Sequence, residues 1–578
     1  MTSSDRDRPA DPHDHTGHAF AKREPTTAPP MRLSDASELV LVASAPSAAR
    51  FDRDDLVVRK GQYALRNGHM TPRESMVEDL LAVRDALDAA GILFLLVRGD
   101  DDRLVIAVDR AARKAVARAF ATAFANEPFY AEPVERDRDR DRADRSHPVL
   151  LADGRLAARG KPTVLRLYRP RIEPVGRLRY GRDTAVQLEF WRFGDDTIEA
   201  PLANALLRPT LPRSEAIDDT VHLHGRDWPT LEHMFAPLAN DVDFEIDMVF
   251  SWVDGSSDEF IRERAKRMQS YVVGEGDDSE ARYRQIDELK YALRSVYLFA
   301  PWVRRIFIAT DSPAPAWLAR HPKVTIVRSE EMFADTSVLP THNSHAVESQ
   351  LHRIPGLAEH FLYSNDDMFF GRPVNPSLFF SPGGITKFVE ASTRIGLGET
   401  HPGRSGFENA ARVNRALLRE RFGKVTTRHL EHCAAPLRKS VMAELEAAFP
   451  EEFRRTAASR FRSATDISVT NSLYHYYGLL TGRAVEQTDA RVKYIETTLR
   501  TAPPTMKRLL KRRDRDMFCL NDGSFPELSV EERTAAVIDF LERYFPFPAP
   551  WEKQSTDAAA PASSVDVDAV AEAAELTA

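Results

Sequence analysis

Asp366 and Asp367 stand side by side in HFLYSNDDMFF, residues 360–370, with apolar runs on both flanks. Adjacent acids repel, and burying either one unpaired is costly, so such a pair belongs in a turn open to water or facing a cation. The same pattern, a short apolar run ending in acid, recurs in IDMVFSWVDG at Asp254 and in RRIFIATDS at Asp311. Any one of these acids is explained by the turn-forming habit of Asp after strands; three together favour a site. Converging carboxylates without matching bases suit a divalent ion, Mg²⁺ or Mn²⁺. Mg²⁺ takes one or two carboxylates, keeps several waters and accepts phosphate oxygens in the positions left.

Two more groups carry chemistry. RHLEHCAAPLRKS gathers His429, His432 and Cys433 ahead of Arg438 and Lys439. Zinc needs four ligands at usable spacing, and Cys519 is the only other thiol, so a general-base histidine fits this segment better than a metal centre. RRTAASRFRS concentrates Arg454, Arg455, Arg460 and Arg462 before an apolar aromatic helix. Arginines on a helix commonly face water, yet a guanidinium also grips phosphate oxygens through paired donors. A metal, a histidine and arginines together suit phosphoryl transfer, in which positioning and charge neutralisation provide most of the catalysis.

The elements that must position these residues read as α/β. The three acid-tipped runs are predicted as buried strands. Between the first two lies the helical pattern DELKYALRSVYLF, with Leu289, Leu293, Val296 and Tyr297 on one stripe. Before the third lies SHAVESQLHRI, with Val347, Leu351 and Ile354 similarly spaced. Strand and helix in alternation imply an open, mostly parallel sheet whose ligands collect at the carboxyl ends of the strands. Upstream, a helix through Met76, Leu80, Leu81, Val83 and Leu87, the strands ILFLLVRG and RLVIAVD, an Ala-rich helix from Arg110, and the strands TVLRLY and AVQLEFWRF form a smaller α+β unit without a catalytic constellation.

Boundaries follow from composition: a Pro-, Asp- and His-rich tail at 1–50, the α+β unit at 51–240, the chemistry-bearing domain at 241–550 with helical additions, and an Ala/Asp/Val/Ser tail at 551–578. Both tails are expected to be disordered, and ERDRDRDRADR to be a solvated loop. At 578 residues more than one core is expected. A net charge of −8 from 87 acids and 79 bases argues against a nucleic-acid binder. Two cysteines, no signal peptide and no run long enough to span a bilayer point to a cytoplasmic chain.

The segments IDMVFSWVDGSSDEF, RYRQIDELKYALRS through SNDDMFFGRPV, HCAAPLRKS through YYGLLTGRA, and DRDMFCLNDG resemble, in that order, the four conserved regions of the Stealth family. That family includes bacterial capsular and exopolysaccharide phosphotransferases and the animal N-acetylglucosamine-1-phosphotransferase. The resemblance covers about residues 243–530. It implies a nucleotide-diphospho-sugar-transferase-like fold and transfer of a hexose or N-acetylhexosamine 1-phosphate from a UDP-sugar to a glycan hydroxyl, with UMP leaving. It further implies peripheral association with polysaccharide-assembly machinery. By matching motif, Asp254, Asp366 and Asp367 are expected to handle metal and diphosphate, His432 to deprotonate the acceptor, and Arg460 and Arg462 to stabilise charge. Gly255, Arg294, Asn343, His345, Asn365 and Arg438 are expected to bind substrate, Asn343 and His345 from a helix start, where anions are favoured. His342 stands where the family suggests an aromatic residue, and Cys433 where it suggests a small one.

Two rival readings use the same residues. A metal-dependent glycosyltransferase would attack the anomeric carbon and release UDP. A non-catalytic glycan-binding protein would stack sugars on Trp252, Trp302 and Trp317.

Overall fold

The computed structural model describes residues 50–553 except 60, 101, 102, 135–146, 177, 524 and 525, and except 256–285, of which only 262 and 265 are described. Nearly all of both tails, and the run ERDRDRDRADR, lie outside the described residues. Trp551 and Glu552, assigned to the second tail, are packed: Trp551 is buried, and Glu552 takes both ends of the Arg294 guanidinium.

In the first half the expected elements form. Thr71 and Glu74 make a reciprocal capping box at the head of the helix Pro72–Ala89. Its buried Leu80, Val83 and Leu87 pack on a mixed sheet centred on Leu104–Asp109 and Val186–Phe193, which run parallel. Phe94–Arg98 and Val164–Tyr168 flank that pair antiparallel. Asp79, with no exposed surface, accepts hydrogen bonds from Arg169 and Arg171, which removes the cost of burying its charge alone. Leu178 and Tyr180 leave this half to join the core of the second. Gly176 runs so close to Arg543 that a Cβ there would lie 2.1 Å from the Arg543 carbonyl oxygen.

The second half is built from β1 (Ile246–Ser251), α1 (Glu288–Phe299), β2 (Ile306–Ala309), β3 (Val324–Val327), α2 (Ser344–Gln350), β4 (His360–Asn365), β5 (Met368–Phe370), α3 (Gly406–Phe422), β6 (Ala435–Arg438), α4 (Pro450–Ala458), α5 (Tyr474–Leu480), β7 (Val492–Glu496) and β8 (Met517–Asn521). Its main sheet has the order β3-β2-β1-β4-β6. The first four strands are parallel and β6 is antiparallel to β4, so the open, mostly parallel α/β sheet expected from sequence is present. The chain order reverses between β1 and β4, the switch point at which such sheets bind ligands.

Past the two acids the chain does not leave as coil. β5 turns at once into a second sheet of order β5-β8-β7, in which β8 is antiparallel to β5 and parallel to β7. Among the described residues no helix is long and apolar enough to cross a membrane.

α5, entered through a π-helical turn at Val469–Leu473, carries the fully buried His475. Its Nε2 lies 2.9 Å from the Thr470 carbonyl while Nδ1 has no partner, an arrangement suited only to the neutral ring. Burial lowers its pKa to about 4. The folded state therefore resists a proton that the unfolded chain accepts near 6.5, so the stability is intact above that pH and lost as pH falls toward 4. The stability advantage of the wild type over His475→Phe should shrink by about 3 kcal/mol between pH 7 and pH 4 in denaturant titrations.

Candidate functional site

Register fixes where the acids meet. Ala309 on β2, Ser251 on β1 and Asn365 on β4 pair in one row across the carboxyl edge of the sheet. Asp311, Asp254 and Asp366 follow that row by two, three and one residues, so all three acid-tipped strands end on the same side. They then take different work. Asp311 Oδ1 accepts the Ser329 N–H at 2.8 Å, and the Asp254 backbone N–H donates to Ser312 Oγ at 2.9 Å. Gly255 is buried beside it.

Asp366 and Asp367 form the turn between β4 and β5. Burial pushes each carboxyl up to about 7. For Asp366 the charge of Asp367 adds to the effect. For Asp367 the Cys519 thiol pulls down, while Glu288 and Asp522 push up. Cys519, buried on β8, donates to Asp367 Oδ2 at 3.4 Å, and the Leu520 N–H holds the Asp367 carbonyl at 2.9 Å. Asp367 Oδ1 is buried with no hydrogen-bond partner. Two crowded acids with an orphaned oxygen fit a divalent cation held by two carboxylates. The expected three-carboxylate set with Asp254 is not assembled: among the described residues no three His, Cys, Asp or Glu groups stand where they could hold one ion.

The antiparallel β6 brings in the histidine. Ala435 pairs with Tyr363, so the segment that precedes β6, with His432 and Cys433, lies toward the end of β4 at which Asp366 and Asp367 turn. His432 lies between two rings, Phe407 at 6.0 Å and Tyr494 at 5.2 Å between centroids. Tyr494 pairs across β7 and β8 with Cys519, and the charge of Asp367 reaches its hydroxyl. His429 stacks on Phe407 at 4.5 Å, and burial lowers its pKa.

The arginines arrive on the loop after α4. Arg462 Nη2 donates to Ser344 Oγ at 2.9 Å, and its stem packs against Gly406, where a Cβ would come within 2.9 Å. Its charge reaches the buried Tyr363 hydroxyl, which bonds Ser251 Oγ at 2.7 Å and Asn365 Oδ1 at 3.0 Å. Arg460 is exposed, and its carbonyl accepts the His342 N–H at 2.8 Å. The His342 ring stacks on Phe461 at 5.3 Å, so it fills an aromatic place in an aromatic way. Beneath the loop, Asn343 caps α2 through the His345 N–H and donates to the buried Asp466 at 2.8 Å, while Asp466 also accepts the Ser463 N–H. His345 is buried 3.7 Å from Asp466. Asn343 and His345 are thus spent on the scaffold of the arginine loop, and α2 does not offer its first turn to an anion.

Two expected binding residues have other duties. Arg294 is buried, held by Glu552 at 2.7 Å through two nitrogens and by the Phe545 carbonyl at 2.9 Å, so it clamps the chain's last described turn. Arg438 pairs with His360 and bonds Glu359 at 3.1 Å, because β6 runs backwards and ends beside the start of β4. Five strand residues, about 16 Å, separate that level from Asn365. The tryptophans of the glycan-binding reading are also committed: Trp252 is buried, Trp302 donates to Val374 and Trp317 to Asp287.

Asp522, Glu288, Cys519, Tyr494 and Asp466 surround the site without having been singled out by sequence. Asp522 carried a usable signal, since MFCLND is a fourth apolar run ending in acid. Tyr494 and Phe407 carried none.

Comparison with known proteins shows what the chain is similar to. Models of the four Stealth protein conserved regions match residues 244–272, 282–388, 431–479 and 507–562 as regions 1 to 4. The exopolysaccharide phosphotransferase CpsY of Mycobacterium tuberculosis is 58% identical over 502 residues, 87% of this chain and 93% of that protein. An exopolysaccharide phosphotransferase of Nocardia farcinica is 55% identical over 87% of this chain and 91% of its own length. Exopolysaccharide phosphotransferase SCO6021 of Streptomyces coelicolor is 36% identical over 92% of this chain and 99% of its own.

A carboxyl whose folded pKa is raised destabilises the fold when ionised, and the penalty fades as pH falls from 7 toward 4. In chelator at pH 8, Asp367→Asn should therefore be more stable than the wild type, by roughly 2 kcal/mol in denaturant titrations. That gain should vanish at pH 4.

Proposed function

The chain belongs to the Stealth family, and on that premise we propose that it is an exopolysaccharide phosphotransferase that moves a sugar 1-phosphate from a UDP-linked hexose or N-acetylhexosamine to a glycan hydroxyl, releasing UMP. The observation that supports the reading is that β6, antiparallel to β4, brings the segment with His432 to the edge where β4 ends in Asp366 and Asp367, while the charge of Arg462 reaches Tyr363. Those are the parts that transfer between phosphates requires: a base, and positive charge near the oxygens.

The acceptor oxygen bonds to the phosphorus that carries the sugar, and the bond from that phosphorus to the bridging oxygen breaks. The bridging oxygen leaves with UMP. The acceptor proton passes to the His432 imidazole. Arg462, and Arg460 from the exposed side of the same loop, neutralise charge on the phosphoryl oxygens and on the departing UMP. Asn365, whose Oδ1 is fixed by Ser251 and Tyr363, shapes the donor side of the turn. Mg²⁺ or Mn²⁺ at Asp366 and Asp367 would supply the charge that lets a diphosphate approach two carboxylates. Asp254 and Gly255, on the loop after β1, contact the nucleotide side of the donor. Free Cys433 and Cys519, both buried, suit a reducing cytoplasm, beside the machinery that receives the product.

Incubation with UDP-N-acetylglucosamine, Mg²⁺ and a glycan should yield UMP and a product heavier by one sugar phosphate. UDP as the product would transfer the case to the glycosyltransferase reading. A substitution series separates the two edges of the sheet. His432→Ala should lose activity by at least 10²-fold with donor binding within twofold of wild type, and Arg462→Gln should lose 10²- to 10³-fold in kcat. Arg438→Gln, on the opposite edge, should stay within about threefold of wild type in kcat/KM.

A further inference from the structure

His432 is held between two rings that come from outside the four matched regions. Phe407 lies in the interval between 388 and 431, and Tyr494 in the interval between 479 and 507. The two differ in exposure. Phe407 is covered by His429 stacked against it, whereas Tyr494 leaves 37% of its surface exposed on a strand otherwise tied into the second sheet. This ring is 5.2 Å from the histidine and one strand from Cys519, the donor to Asp367.

The chemistry on its two sides differs. The diphosphate belongs with Arg462 and the acid turn, where charge can be matched. The ring of Tyr494 offers a flat, largely apolar face with a neutral hydroxyl, which suits the C–H face of a pyranose better than a phosphate. Burial and the charges of Glu496 and Asp367 keep that hydroxyl protonated, so it remains a donor to sugar oxygens. The acceptor hydroxyl must sit within hydrogen-bond reach of the base, so the rest of its sugar ring must lie on whatever surface adjoins His432.

We infer that Tyr494 is the floor of the acceptor subsite: a neutral pyranose of the acceptor glycan stacks on its exposed ring and presents its hydroxyl to His432. The subsite rests on the phosphotransferase reading for its role and on the His432–Tyr494 geometry for its place. In that place Tyr494 acts on the acceptor sugar, and its replacement alters acceptor use rather than donor binding.

The test uses the full chain and Tyr494→Ala, Tyr494→Phe and Tyr494→Trp, with UDP-N-acetylglucosamine as donor and the methyl glycosides of glucose, galactose, mannose and N-acetylglucosamine as acceptors. For the glycoside that is turned over, Tyr494→Ala should raise acceptor KM at least tenfold. Donor KM and acceptor-independent UMP release should stay within twofold. Tyr494→Phe and Tyr494→Trp should restore acceptor KM to within threefold. Unchanged acceptor KM in Tyr494→Ala, or an equal rise in donor KM from stacking of the nucleotide base, overturns the assignment. If no glycoside is turned over, saturation-transfer NMR on the same glycosides decides. Transfer in the wild type that is lost in Tyr494→Ala supports the subsite; absent or undiminished transfer removes it. Failure to release UMP with any sugar nucleotide would overturn the reaction class, and leaves the binding measurement to judge Tyr494 separately.

Discussion

Two neighbouring half-buried carboxylates at the end of a strand, one of them with a buried oxygen that lacks a partner, are the constraint from which the rest of the second half follows. Among the described residues neither Asp366 nor Asp367 has a salt-bridge partner, and the groups that act most on Asp367 besides the Cys519 thiol are Glu288 and Asp522, which share its sign. Crowding of like charges costs stability, and a ligand that brought positive charge would offset that cost. The surroundings are arranged to keep the pair in place meanwhile. β5 leaves the turn straight into a second sheet, Leu520 and Cys519 hold the backbone and one carboxylate oxygen, and the partner strand β6 enters from the same edge, with His432 three residues ahead of it.

The arginine loop solves a similar problem with the opposite sign. Arg460 and Arg462 must present charge without collapsing onto the acids. Their loop is anchored from below by Asp466, a carboxylate with no exposed surface, through the Asn343 amide and the Ser463 N–H. A buried acid bonded by two neutral donors fixes the loop's path and leaves the guanidinium groups to approach from above. The backbone bond from His342 to the Arg460 carbonyl and the stacking of His342 on Phe461 hold the other end.

Much of this was legible in sequence because the signals were local. Apolar runs ending in acid gave β1, β2 and β4, and spaced apolar residues gave α1 and α2. What sequence left unread depends on distant partners. β6 is four residues long, contains Pro436 and shows no alternation, as befits an edge strand; nothing in APLR announces its direction. Yet that direction puts His432 at the acid edge and Arg438 at the far one. Arg294 looked like a ligand group because it lies in a segment that matches the family's motif on a predicted helix face, but its partner Glu552 is 258 residues away in the chain. A residue type reports what a side chain can do, and only the long-range pairing reports what it is left free to do.

The distribution of the site over the chain separates chemistry from selection. The acid turn, His432 and the arginine loop all fall inside matched regions, and each is fixed by the sheet or by buried hydrogen bonds. The rings that enclose His432 come from the intervening stretches, Phe407 from α3 and Tyr494 from β7, which strand register ties to β8. Phe407 opens α3 just past the Ser405 cap, so a change in the preceding loop would shift it along the histidine without touching the base. Tyr494 alternates with Ile495, which is buried in the core, so β7 can exchange its outward residue while its inward one holds the strand. On the proposed reading, the bond-breaking groups and the surface next to the attacking hydroxyl are carried by segments with different obligations to the core.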